Sequence, residues 1–228
     1  MRSLLALIIV AVAGLNASAQ KPEDILATFN GHTVRFKDLS AETQKLIADV
    51  PARTAKFRSD LLGQLINERA LAAEAKAAGT TPQQLIASER LKVKDPADAE
   101  IQQVIDANRA ALAGLTPEEM RKQVVRYLRA EPEQNALVAY LSGLTTKYKA
   151  TTVKDINSPS LSPADVVATV TGTPVTAKEF EDYAAFELWN AKADIAELIS
   201  DELRETIYQL LVADEAKATG TEIGRAHV

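Results

Sequence analysis

Short apolar runs broken by a glycine open two regions of the chain, and helix-spaced apolar stripes fill most of the remainder. Around Gly31 and again around Gly172, an apolar run, a turn and a second run predict a β-hairpin with strands of about four residues each. A lone hairpin is marginal in water, so both hairpins are expected to lie against helices. After the first, Asp38 to Asp49 predicts a short helix closed by Pro51, because the residue before a proline avoids the α region. A long helix from about Ala52 to Ala78 follows. Its buried stripe is Leu62, Leu65, Ile66 and Ala73, and Gly79 serves as a left-handed cap.

Later helix starts are marked by their caps. Thr81-Pro82-Gln83-Gln84 and Thr116-Pro117-Glu118-Glu119 place an N-cap, a proline at the first helical position and a Gln or Glu at the third. Asp95-Pro96 opens a helix with Ile101, Val104, Ile105 and Leu112 on its buried side. Asn108 interrupts that stripe and is expected at its edge or in a hydrogen bond. Val124, Leu128, Leu137, Leu141 and Leu144 mark one long helix or two abutting ones, with a kink or break expected at Pro132. Ala150 to Val153 reads as a closing strand.

The two hairpin regions are copies of one unit. Ile25–Thr81 aligns without gaps onto Val166–Glu222, a displacement of 141 residues. Ala27-Thr28 matches Ala168-Thr169, Gly31 matches Gly172, and Glu74-Ala75-Lys76-Ala77 recurs as Glu215-Ala216-Lys217-Ala218. Ungapped agreement at one offset points to duplication. The expected layout is a first unit over residues 25–155, a linker over 156–163 rich in Ser and Pro, and a partial second copy over 164–221. With no later helices of its own, that copy is expected to leave Leu203, Ile207, Leu210 and Leu211 uncovered. The first copy, Gln20 to about Asn157, is expected to fold alone.

Both ends read as segments outside the fold. Residues 1–19 have the organisation of a secretory signal: Arg2, an apolar run from Leu4 to Leu15, and the small-x-small site Ala17-Ser18-Ala19, with cleavage before Gln20. The run is too short for a membrane span, which needs about 20 apolar residues. The expected location is periplasmic or otherwise exported, with no integral span after signal removal. Residues 222–228 can be encoded by bases matching a common sequencing-adapter string, so this tail is expected to be an adapter-derived scar on a gene fragment.

Composition narrows the chemistry. The chain is 46% apolar and 25% charged, a globular balance. It has no Cys, which excludes disulfides, thiolate metal sites and a cysteine nucleophile. Lys plus Arg total 26 against 31 Asp plus Glu, a net charge of −5 with no basic block, so nucleic acid is not an expected partner. Of the two histidines, His227 lies in the tail and His32 adjoins the hairpin glycine, where it reads as a turn residue; its counterpart in the second copy is Thr173. Glu74 and Glu215 read as members of solvated helix faces paired with nearby lysines. No nucleophile–base–orienter trio and no phosphate loop is present. No catalytic residue, metal ligand or cofactor is assigned. Phe180, Tyr183, Phe186 and Trp189 form an aromatic row in one helical stretch: ordinary core by spacing, or a peptide-binding surface if exposed.

A hairpin, a short helix and then Gln64-Leu65-Ile66-Asn67-Glu68-Arg69 leading to Glu74-Ala75-Lys76-Ala77-Ala78-Gly79 resembles the SurA N-terminal chaperone domain. It is similar also to the foldase regions of PrsA-type and PpiD-type proteins. The Thr116 helix with Arg126-Tyr127-Leu128, and the helix starts at Leu39 and Phe180, carry the same likeness. The resemblance implies a mainly α fold: a SurA N-terminal-like helical domain with a small β-hairpin, followed by a partial second copy. It implies a chaperone that holds unfolded or extended envelope polypeptides as clients. Relatives commonly carry a parvulin peptidyl-prolyl isomerase domain, and none is present here. The alternative expectation is the N-terminal part of an enzyme whose catalytic domain, a parvulin isomerase or a thioredoxin-like oxidoreductase, lies downstream.

Overall fold

The computed structural model describes residues 22–220; the signal-like residues 1–19 and the tail at 222–228 lie outside the described residues. Within them the chain is mainly helical, with two small antiparallel sheets. Strands β1 (Ile25–Phe29) and β2 (His32–Arg35) form the first hairpin, and α1 (Ala41–Ala78) follows. Helices α2 (Pro82–Leu91), α3 (Asp98–Ala107) and α4 (Pro117–Lys147) lead to the two-residue strand β3 (Thr151–Thr152). The second hairpin, β4 (Val166–Val170) and β5 (Thr173–Thr176), runs into α5 (Ala177–Thr219). The sheet orders are β1-β2 and β3-β4-β5.

The two hairpins are built alike at atomic detail. Ile25 pairs with Arg35 and Ala27 with Val34, with a register shift between them; Val166–Thr176 and Ala168–Val175 repeat the pattern and the shift. Phe36 N–H donates to Asp24 C=O and Lys37 N–H to Pro22 C=O, mirrored by Ala177 to Asp165 and Lys178 to Pro163. Each turn has two residues at positive φ, Asn30 (44°) with Gly31 (82°) and Thr171 (55°) with Gly172 (76°). Such turns match the right-handed twist of the strands they join. Asn accepts a positive φ readily, whereas a β-branched Thr does so at a cost.

The described chain divides into two compact units, and neither is a sequence copy taken whole. One comprises the described residues up to Arg58 together with those from Ala184 onward. In it the first hairpin supplies Ala27, Phe29, Val34 and Phe36, joined by Leu39 and Ile47, and the partner surface is α5. Leu203 is 8% exposed in that cluster, with Ile199, Ile207, Leu210 and Leu211 packed against it. The expectation that these α5 residues lack cover is therefore corrected: the first hairpin covers this face of α5. Glu202 of α5 also accepts hydrogen bonds from the Ser40 backbone N–H and from Ser40 Oγ, at the start of α1. Burial raises the Glu202 carboxyl, but bonds from Thr43 and Ser40 outweigh it and hold the group below its ordinary value.

The other unit runs from Ser59 to Tyr183. Here Ala70 and Leu71 of α1 form a core with Leu144 of α4 and Val170 of β4, flanked by Ile66, Leu85, Ile86 and Tyr148. A second cluster, Ile101, Leu112 and Val124, is filled out by Val104, Ile105 and Leu128. The second hairpin thus contributes to the core around the first copy's long helix. A fragment ending near Asn157 would lose Val170 from that core, which counts against the first copy folding well alone. The segment 156–163, expected as the connection between copies, runs inside this unit with Ile156 only 4% exposed.

Caps fall where the residue pattern places them. Thr81 and Thr116 each accept from the N–H three residues on, and Gln84 and Glu119 reach back to complete capping boxes. Gly79 ends α1 at φ 63°, with Thr80 N–H donating to Ala75 C=O. Asn108 caps α3 and donates from Nδ2 to Val104 C=O. Two helix bounds need correction: the expected short and long helices around Pro51 are one continuous α1, and α3 begins at Asp98 rather than at Asp95. Of the two arrangements open for α4, it is one helix running through Pro132. Asp95 instead pairs with Arg129 of α4. Both prolines lie at exposed positions of their helices.

Three outcomes are expected. Leu203→Ala should cost about 2–4 kcal/mol of stability in urea unfolding, because it removes a buried side chain from the hairpin's partner surface. Thr171→Asn, which copies the first turn, should stabilise by about 0.5–1 kcal/mol, read as a raised Tm. Asp165, which accepts from Lys154 Nζ and from the Ser162 N–H, has its pKa lowered to about 2 by these bonds. A depressed carboxylate stabilises above its unfolded value near 3.9 and loses that contribution as pH falls through the folded value. Asp165→Asn should therefore lower stability at neutral pH and flatten the loss between about pH 4 and pH 2.

Candidate functional site

The aromatic row of α5 divides along its length, and helix geometry explains why. Successive members are three residues apart, and each such step falls about 60° short of a full turn, so Trp189 ends about half a turn from Phe180. Phe180 is fully buried and belongs to the core. Tyr183 is half-buried, and its hydroxyl donates to Glu68 Oε1 at 2.8 Å. Phe186 and Trp189 are exposed, at 67% and 65%. The structure therefore keeps two of the four residues as surface candidates. Phe186 and Trp189, three apart on one helix, share a face. Lys192 lies one further step along and Glu187 beside them, so the apolar rings sit among charges of both signs.

His32, expected as a turn residue, is the first residue of β2, next to the turn at Asn30 and Gly31, and it has a partner. Its Nε2 lies 2.6 Å from Asp214 Oδ2 of α5, and its ring stacks at a tilt on Phe29, centroids 5.3 Å apart. In the second copy the corresponding residues are Thr173 and, on the long helix of the first, Ala73. The pair thus belongs to one hairpin alone. An imidazole and a carboxylate do not make a hydrolytic site, and no cluster of three metal-ligating side chains occurs among the described residues.

Glu74 departs from the reading as a helical charge pair. It accepts from Lys147 Nζ and from Tyr148 Oη at 2.8 Å, both at the end of α4. Those bonds hold its carboxyl below the usual value and raise the Lys147 ammonium. Burial and the adjacent Glu74 push the Tyr148 hydroxyl up. Glu74 is a tie between helices, whereas Glu215, its counterpart, is exposed. Further ties that the residue pattern did not reveal are Arg69 with Glu179 and Arg129 with Glu133. Only proximity in the fold identifies these partners, since none except Arg129–Glu133 has helical spacing.

At their surface the described residues present the exposed pair Phe186 and Trp189 on α5 and the ends of the two hairpins. No helix among them is long and apolar enough to cross a membrane. No family model matches this chain, and neither the curated proteins nor the solved structures compared with it contain a match.

Proposed function

We propose that this chain is an extracytoplasmic chaperone or foldase segment that holds unfolded or extended envelope polypeptides. The observation that carries the reading is the outward display of Phe186 and Trp189 on α5. Large aromatic side chains lose apolar burial when left in water, so a surface pair has use mainly as a contact. Aromatic contacts are tolerant of sequence, which suits a client defined by being unfolded rather than by a motif. The signal-like residues 1–19 support export to the compartment where such clients occur. The likeness of Gln64–Gly79 and the Thr116 helix to SurA-type chaperone domains supports the same class.

The test is suppression of light scattering by a chemically unfolded client diluted into buffer with the full chain. The double variant Phe186→Ala, Trp189→Ala should need at least about thirtyfold more protein for equal suppression, since exposed aromatic anchors carry about 1–2 kcal/mol each in binding. Its Tm should stay within about 2 °C, because neither ring is buried. Undiminished suppression by a folded double variant would remove α5 from the function.

A further inference from the structure

The duplication supplies a comparison that one hairpin alone could not. In the second hairpin, the outer edge of β4 is occupied: β3 lies antiparallel to it, Thr151 facing Thr169 and Thr152 facing Ala168. Val153 N–H donates to Val167 C=O at 2.8 Å, Thr171 N–H donates to Tyr148 C=O at 2.7 Å, and the Thr151 and Thr169 hydroxyls bond at 2.9 Å. The corresponding positions on β1 are Leu26, Thr28 and Asn30. Among the described residues no strand pairs with that edge, and the first sheet ends at β1.

We infer that the outer edge of β1 is a binding site for an extended polypeptide segment, taken up antiparallel in the register that β3 adopts on β4. Leu26 C=O corresponds to the acceptor of Val153 N–H, and Asn30 N–H to the donor toward Tyr148 C=O. Thr28 keeps the residue type of Thr169 and is exposed, so its hydroxyl is placed for the same contact across strands. An open surface depression lined by Thr28, Phe29, Asn30 and His32 adjoins the turn end of the edge. The occupant's chemistry is read from the occupied copy: a short extended stretch with β-branched residues, like Thr151-Thr152-Val153. Added strands of this kind take affinity from main-chain hydrogen bonds and little from sequence.

This surface is distinct from the α5 aromatics, and the experiment keeps the two apart. The probe is a fluorescein-labelled peptide with the sequence of residues Tyr148–Lys154, titrated against the full chain, with amide shifts followed by NMR. Saturable binding with shifts centred on Thr28 and Asn30 is expected. Peptide N-methylated at the nitrogen of its Val153 position should bind about tenfold more weakly. Thr28→Pro removes an outward N–H that an edge strand can spare, and should weaken binding to a similar degree without affecting the hairpin's own ladder. If that variant does not fold, the methylated peptide still decides. Absence of binding at millimolar peptide, equal binding of the methylated peptide, or Thr28 and Asn30 amides already protected in the free chain would each overturn the inference. Loss of peptide binding by Thr28→Pro with client suppression retained would support the edge site and leave the aromatic reading standing.

Discussion

A two-stranded hairpin has one apolar face and nothing of its own to put against it, and that constraint governs how this chain folds. For the first hairpin the cover is α5: Ala27, Phe29, Val34 and Phe36 meet Leu203, Ile207 and Leu210, more than 160 residues away in sequence. For the second, Val170 joins Ala70, Leu71 and Leu144. Each hairpin therefore contributes to the core around the long helix that follows the other hairpin. The long helices have no independent reason to persist at such length, since helical stability in proteins comes chiefly from burying an apolar face. Contacts of such wide separation are entropically expensive to close. Ser40 at the start of α1, bonded to Glu202 of α5, adds a polar tie to the same long-range pairing.

The local grammar of the fold was legible in the residues. Asn30-Gly31 and Thr171-Gly172 mark turns because their backbone φ must be positive. Thr81 and Thr116 mark helix starts because orphan N–H groups need acceptors, and Gly79 ends α1 because only glycine takes φ 63° without penalty. What periodicity cannot state is the identity of the partner. The stripe of Leu203 and Ile207 declares that one face of α5 is buried, but not that the first hairpin buries it. Pro51 misleads because a missing donor is costly inside a helix, yet α1 continues through it, with Ile47 packed in the core one turn before the ring. The aromatic row was half legible. Phe180 follows the burial pattern, while the drift of a three-residue step places Phe186 and Trp189 outside it.

The two hairpin regions differ in the size and the placement of their apolar side chains. Phe29, Phe36 and Leu39 in the first correspond to Val170, Ala177 and Phe180 in the second. The first hairpin carries its bulk on the strands and the turn into α1, and the second concentrates it at the start of α5, where Phe180 is fully buried. Polar ties were not retained in the same way: His32–Asp214 has Thr173 and Ala73 at the matching positions, and Arg69–Glu179 has Leu210 and Asp38. Partly exposed ion pairs have small net value, so such pairs need not recur at the matching positions.

The same divergence separates the two sheet edges. An exposed strand edge invites pairing with other chains, and proteins blunt it by covering it, keeping it short or placing charge along it. The second hairpin is covered by β3, at the cost of ordering the residues between α4 and β4. The first relies on brevity, with five residues in β1, and on flanking charge from Glu23 and Asp24. Brevity limits pairing to a few hydrogen bonds, too few to drive open-ended aggregation but enough to hold a flexible segment reversibly. Among the described residues no strand covers the β1 edge, which makes the first hairpin the more available of the two to an extended chain.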